Sequence, residues 1–272
     1  METWPDGKKY EGEFVDGQKE GRGKLHYPDG RVYDGMWKEG RKHGYGVETW
    51  ANGQKFEGNY TNGVKDGEGK LCYRDGSVYD GGFKANMRHG KGKLAFPDGK
   101  KYQGQFDEER INGDGTFAYT DGRKYKGHIK DGKPNGRGVE TWLDGTKFTG
   151  DFVDGERLGK GNYKYTDGSE YIGPVKNGVP NGEGKRRWVK IGQEYNGNFV
   201  DGKFDGYGVM QYENRSMYTG QWKNGEKHGM GEQTWTDGAK YVGEFVNFEK
   251  EGKGKMYFAN GAIYDGEWKN GQ

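Results

Sequence analysis

The chain has no long apolar runs. Single aromatics recur at a fixed interval, each alternating with glycine and a charged residue. The first aromatic of each cycle is Tyr10, Tyr33, Phe56, Tyr79, Tyr102, Tyr125, Phe148, Tyr171, Tyr195, Tyr218, Tyr241 and Tyr264. The spacing is 23 residues throughout, except 24 between Tyr171 and Tyr195. The extra residue lies in Trp188-Val189-Lys190-Ile191-Gly192, where other cycles read Trp-X-Asp-Gly. Such a period marks a repeat architecture. No linker interrupts it, so residues 1–272 read as one continuous array of about twelve units.

One unit runs from Tyr10 to Val32. Tyr10, Gly12 and Phe14 alternate and so share one face of a strand. Gly21, Gly23, Leu25 and Tyr27 do the same on the next strand. The positions between them are Glu11, Glu13, Arg22, Lys24 and His26, which makes the opposite face charged. Acidic residues on one strand can pair with basic ones on its neighbour. Asp29-Gly30, Asn52-Gly53, Asp75-Gly76 and Asp98-Gly99 predict tight hairpin turns, with Val15–Glu20 as the longer connection. Links this short make neighbouring strands antiparallel. Glycine on the aromatic face leaves room for a ring to lie flat on the backbone.

Composition fits this picture. Only 29% of residues are hydrophobic, 15% are aromatic, 32% are charged and 55 are glycine. That cannot fill a thick core, but rings stacked along a thin sheet bury much area per residue. The expected fold is all-β: an elongated, single-layer, twisted antiparallel sheet of tandem hairpins. At a strand spacing of about 4.8 Å, some two dozen strands would extend roughly 110 Å. A net charge of +2 lacks the signature of a polyanion binder, and nucleic acid is not expected as a partner. The lone Cys72 excludes an internal disulfide and fits a reducing, cytoplasmic setting. No run is long enough to span a membrane, and none reads as a secretory leader.

The pattern Y-x-G-x-[WF]-x-x-G-x-x-x-G-x-G resembles the MORN (membrane occupation and recognition nexus) repeat. It stands clearly in Tyr33-Asp34-Gly35-Met36-Trp37 with Gly40, Gly44 and Gly46, and in Tyr218-Thr219-Gly220-Gln221-Trp222 with Gly225, Gly229 and Gly231. The resemblance covers essentially the whole chain. Departures are local. Ile129 and Val175 replace the second aromatic, Asn86, Glu109 and Phe248 replace a loop glycine, and Arg215 replaces a turn glycine. The array starts and ends mid-unit, as a segment of a longer protein would. The resemblance implies a scaffold, as in ciliary radial-spoke heads, protist cytoskeletal collars, junctophilins and the non-catalytic parts of some plant phosphoinositide kinases. It also implies a location at the cytoskeleton, cilium or a membrane–cytoskeleton junction. Lipid binding has been proposed for the family.

A slower period overlies the first. Val47-Glu48-Thr49-Trp50 recurs at Val139-Glu140-Thr141-Trp142, with related forms ending at Trp4 and Trp235. Alternate units end instead in Tyr27, Tyr73, Tyr119, Tyr165 and Tyr212. This is either duplication history or two alternating kinds of rung.

The sequence offers little chemistry. None of the three serines, Ser77, Ser169 and Ser216, sits in a nucleophile elbow. There is no metal-ligand spacing, and the glycines open no phosphate-cradling helix. No catalytic residue, cofactor or metal is therefore expected. An exposed aromatic strip normally marks an interface. The expected groove is lined by Phe14, Trp37, Tyr60, Phe106, Trp222 and Trp268, with Trp50, Trp142, Trp188 and Trp235 on facing strands. It would receive a helix or extended segment of a protein partner, with Trp37 and Trp222 among the accessible rings. Two alternatives stay open. Acidic phospholipid could be contacted by Lys185, Arg186, Arg187 and Lys190, or by the cluster from Arg123 to Lys133; or the array is an accessory module of a larger enzyme. Unpaired strand edges at the termini would also allow an end-to-end homodimer.

Overall fold

A computed structural model describes residues 1–272 as antiparallel strands, with one short 3-10 turn at Val189–Ile191. The chain forms two compact units, Met1–Pro134 and Asn135–Gln272. In each, hairpins follow one another in chain order. The first pairs a seven-residue strand, Lys9–Val15, with a nine-residue strand, Gln18–His26. The next pairs Val32–Lys38 with Arg41–Thr49.

The structure reverses the expected loops. The tight turn is Asp16-Gly17, with φ of +47° and +75°. Two consecutive positive φ values define the two-residue turn that matches strand twist. Asp29-Gly30 lies instead in a longer loop, where the Gly30 N–H donates to the Tyr27 carbonyl and the Tyr27 N–H to that of Arg31. The Asp29 side chain accepts from the Arg31 amide at 3.0 Å, a local bond that holds Asp-Gly in this wider geometry. The inserted residue near Trp188 is absorbed by the 3-10 turn and a left-handed Gly192.

Tight turns are stapled to the hairpin before them. The Gly40, Gly63 and Gly225 amides donate to the carbonyls of Lys19, Lys42 and Phe204. Side chains repeat the staple: Glu20 accepts from the Glu39 amide at 2.9 Å and Asp205 from that of Asn224 at 3.1 Å.

The core is the ring face. The first aromatic of every hairpin but the last is fully or almost fully buried, as in Tyr10, Tyr33, Phe56 and Tyr79. Each lies flat over a pair of cross-strand glycines. A Cβ at Gly12 or Gly23 would come within 2.5 or 2.1 Å of Tyr10. The pairing slips just beyond these glycines, between Gly12 and Glu13 or between Gly35 and Trp37. The tyrosine hydroxyl reaches this irregularity: Tyr33 Oη donates to the Met36 carbonyl at 2.9 Å and Tyr79 Oη to the Gly82 carbonyl at 2.8 Å. The second aromatic then meets two first aromatics edge-on. Trp37 lies 5.4 Å from Tyr10 and 5.2 Å from Tyr33, at 84° and 88°. In the second unit Trp222 does the same between Tyr195 and Tyr218. Ile129 and Val175 fill the same position as aliphatic side chains, and both are buried.

Candidate functional site

Three rows of side chains share the ring face. The deepest is the packed layer just described. It includes Trp37, Tyr60, Phe106, Trp222 and Trp268, all at or below 9% exposure. The expectation that Trp37 and Trp222 are accessible anchors is therefore corrected. Without a second layer these rings fill the core themselves, and the Trp37 indole N–H is spent on the Gly23 carbonyl at 3.0 Å. Phe14, at the start of the ladder, stays 38% exposed.

The second row stands where each nine-residue strand enters the longer loop. It holds Tyr27, Trp50, Tyr73, Phe96 and Tyr119 in the first unit, and Trp142, Tyr165, Trp188, Tyr212 and Trp235 in the second. All are half-buried, so one flank of each ring meets solvent. The expected groove thus splits: Trp50, Trp142, Trp188 and Trp235 remain accessible, while most of the others are core.

The third row is cationic and was missed at the sequence level. Because the tight turn is only two residues long, the nine-residue strand starts at Gln18. Past the pairing irregularity Lys19 stands opposite Phe14, on the ring face. Lys19 Nζ lies 4.8 Å from the Trp4 ring centre and 5.2 Å from that of Trp37. Lys42, Lys65, Arg88, Arg157, Lys227 and Lys250 recur at this position, each over two or more rings. Each such contact is worth about 0.5–2 kcal/mol, depending on desolvation. The expectation that rings and cations face apart is therefore overturned.

These cations differ in their counterions. Lys42 meets Glu48, which is buried and also accepts from Tyr60 Oη at 2.8 Å; Arg31 lies 3.7 Å away. Arg157 lies 3.4 Å from buried Glu140, and Arg88 is held at 2.8 Å by Glu109, a residue that replaces a loop glycine. The Val-Glu-Thr-Trp period thus has a physical meaning: its glutamate points inward and neutralises a ring-face cation. Lys19, Lys65, Lys227 and Lys250 form no ion pair. Burial pulls all four ammonium groups down, and Lys227 reaches about 8.

In the second unit this face opens into a cleft of about 780 Å³, lined by Tyr212, Trp235, Phe245, Phe248, Lys227 and Lys250 among others. The opposite face of the first unit also has clefts. One of about 530 Å³ lies around Met36 and Tyr45, and one of about 1100 Å³ lies among charged side chains including Lys70, Asp80 and Lys93. No group of three or more His, Cys, Asp or Glu residues is placed to hold a metal. No helix is long and apolar enough to cross a membrane.

The basic cluster considered for lipid does not form one patch. Lys185 and Arg187 both pair with Glu194, at 2.6 and 3.0 Å. Arg186 instead occupies the register position opposite Tyr195 and lies on the ring face, 5.0 Å from the centres of Tyr165 and Trp188. Lys190 sits apart in the 3-10 turn.

The repeat geometry is matched by a family model, described as the MORN repeat. It fits twelve consecutive segments from residues 10–30 to 264–272. The chain belongs to the MORN repeat family. No curated protein sequence matches this MORN chain. Among solved structures, it is similar to the TCP domain of Drosophila melanogaster SAS-4 (dCPAP) in complex with a proline-rich motif of Ana2 (dSTIL). That match has 11% identity and a TM-score of 0.30, covering 74% of this chain and 90% of the other. It is also similar to the TCP10 domain of Danio rerio CPAP in complex with a STIL peptide, at 14% identity and a TM-score of 0.28, covering 90% and 98%. Neither likeness carries a functional argument for the MORN array.

Proposed function

We propose that this MORN array is a non-catalytic protein-binding scaffold whose ring face receives an extended segment or helix of a partner. The half-buried aromatic row beside the cations carries the reading. Aromatic side chains are the usual anchors of interface energy, and the rings of this row each keep one accessible flank. With it we propose a location at the cytoskeleton or a cilium, as the resemblance to MORN scaffolds implies. A membrane role is less favoured, because the Lys185 and Arg187 charges are already paired with Glu194.

The test is a titration of a partner peptide, selected by display on the full chain, against two sets of variants. Trp50→Ser and Trp235→Ser remove accessible rings and should each weaken binding about tenfold or more if the ring is an anchor. Tyr45→Ser and Tyr207→Ser remove exposed rings from the opposite face and should leave affinity unchanged. The reverse pattern, with circular dichroism confirming the fold, would place the partner on the wrong face for this account.

A further inference from the structure

The ring-face cations show what this position takes when it is satisfied: one carboxylate. Glu48 serves Lys42 and Glu140 serves Arg157. In the unit beginning at Tyr218 the same place holds Gln233, whose amide oxygen accepts from Lys227 Nζ at 2.5 Å without neutralising it. The hydroxyl that Tyr60 gives Glu48 is also gone, since Phe245 stands at that position. Lys227 therefore sits over Tyr212, Tyr218 and Phe245 as a desolvated cation with no counterion. Lys250, over Trp268, lines the same cleft and is also unpaired.

The surroundings form an open cleft. Phe248 replaces the turn glycine found at Gly63 and is held at φ +72°, a conformation costly for a bulky side chain. Its ring is 50% exposed and lines the cleft opposite Trp235 and Tyr212. The other acidic groups there, Glu213 in a loop and Glu249 at the start of a nine-residue strand, are exposed and border it. That border repels a strongly anionic surface yet leaves the half-buried ammonium groups for a single negative charge.

We propose that this cleft docks an acidic extended peptide. The aspartate or glutamate carboxylate of the peptide enters between Lys227 and Lys250, and its flanking residues lie against Tyr212, Trp235 and Phe248. The inference rests on the scaffold reading and specifies one site within it. A membrane headgroup or phosphate fits less well, since internal carboxylates already fill the equivalent positions and acidic side chains line the border.

The test uses the full chain and a display library of unstructured twelve-residue peptides, followed by fluorescence anisotropy. Peptides selected on the wild type should carry an acidic residue whose change to Gln or Asn weakens binding at least tenfold. Gln233→Glu supplies the internal counterion seen at Glu48, so this variant should fold normally and lose the same affinity. Lys227→Gln should do likewise, and Phe248→Gly should weaken binding to a smaller degree. Selected peptides that bind Gln233→Glu as tightly as wild type overturn this site and leave the scaffold reading standing. Selection of no peptide at all overturns both. Loss of the cleft to self-association in sedimentation, or its occupation by vesicles containing anionic lipid with no acidic peptide selected, assigns a different occupant and overturns the proposal.

Discussion

At the scale of the residue, the recurring tyrosine does two separable things. Its ring covers the glycine pair, and its hydroxyl satisfies a carbonyl that the local irregularity in pairing leaves free. Phe56 and Phe148 do only the first. Tyr79→Phe should therefore cost about 1 kcal/mol, the net worth of one intramolecular hydrogen bond, and Phe56→Tyr should recover a similar amount. Urea unfolding of the two variants checks this. Equal stabilities would mean that the hydroxyl adds nothing beyond the ring.

Lys227 gives a second prediction. Its ordinary value is 10.5, and burial lowers it to about 8 in the folded chain. Between those two values the unfolded chain binds more protons, so stability from this group rises with pH; below about 8 both states are protonated and the slope vanishes. Gln233→Glu should flatten this rise by holding the proton in the folded state. Thermal melts of wild type and variant from pH 7.5 to 9.5 test it, a range below the titration of the buried tyrosines. Parallel curves would contradict the assigned cause.

At the scale of the element, the hairpin was largely legible in the sequence, and its loops were not. The period, the two-faced alternation and the antiparallel pairing all follow from positions such as Tyr10, Gly12, Gly21 and Gly23. The tight turn was misplaced because Asp-Gly in Tyr27–Gly30 carries the residues of a two-residue turn. A local Asp29–Arg31 bond decides for the wider loop, and single-residue preference does not show it. The same placement of the turn hides the cationic row, because Lys19, Lys42 and Lys227 fall in the loop when Val15–Glu20 is read as the longer connection. The burial of Trp37 and Trp222 was also illegible. Alternation names a face but not depth on it, and a sheet without a covering layer must use its own largest rings as core. Phe248 tests the turn directly. Phe248→Gly removes a bulky side chain from a left-handed conformation and should stabilise the protein by about 1 kcal/mol. A loss of stability would show that its ring contributes packing that outweighs the strain.

At the scale of the whole molecule, the repeats differ at one inward position, which holds a cation in some and Ile111, Pro134, Pro180 or Phe204 in others, and those with a cation differ in how they treat it. Some neutralise it internally with Glu48, Glu140 or Glu109; others, at Lys19, Lys65, Lys227 and Lys250, leave it unpaired. Stability in a repeat protein is approximately a sum over units and their junctions, so these unpaired positions can vary without unfolding the array. The proposed binding surface is the face that also forms the core, with the accessible ring row as its outer edge. In each unit the tryptophans lie on the ring face, either in the core, as Trp37, Trp222 and Trp268, or in the half-buried row, as Trp4, Trp50, Trp142, Trp188 and Trp235. Intrinsic fluorescence therefore reports ring-face occupancy without any mutation. The most direct measurement is acrylamide quenching of the wild-type chain, free and saturated with a selected peptide partner that has no tryptophan. The account predicts that quenching falls on binding as the accessible indoles are covered; quenching unchanged at saturation would contradict it.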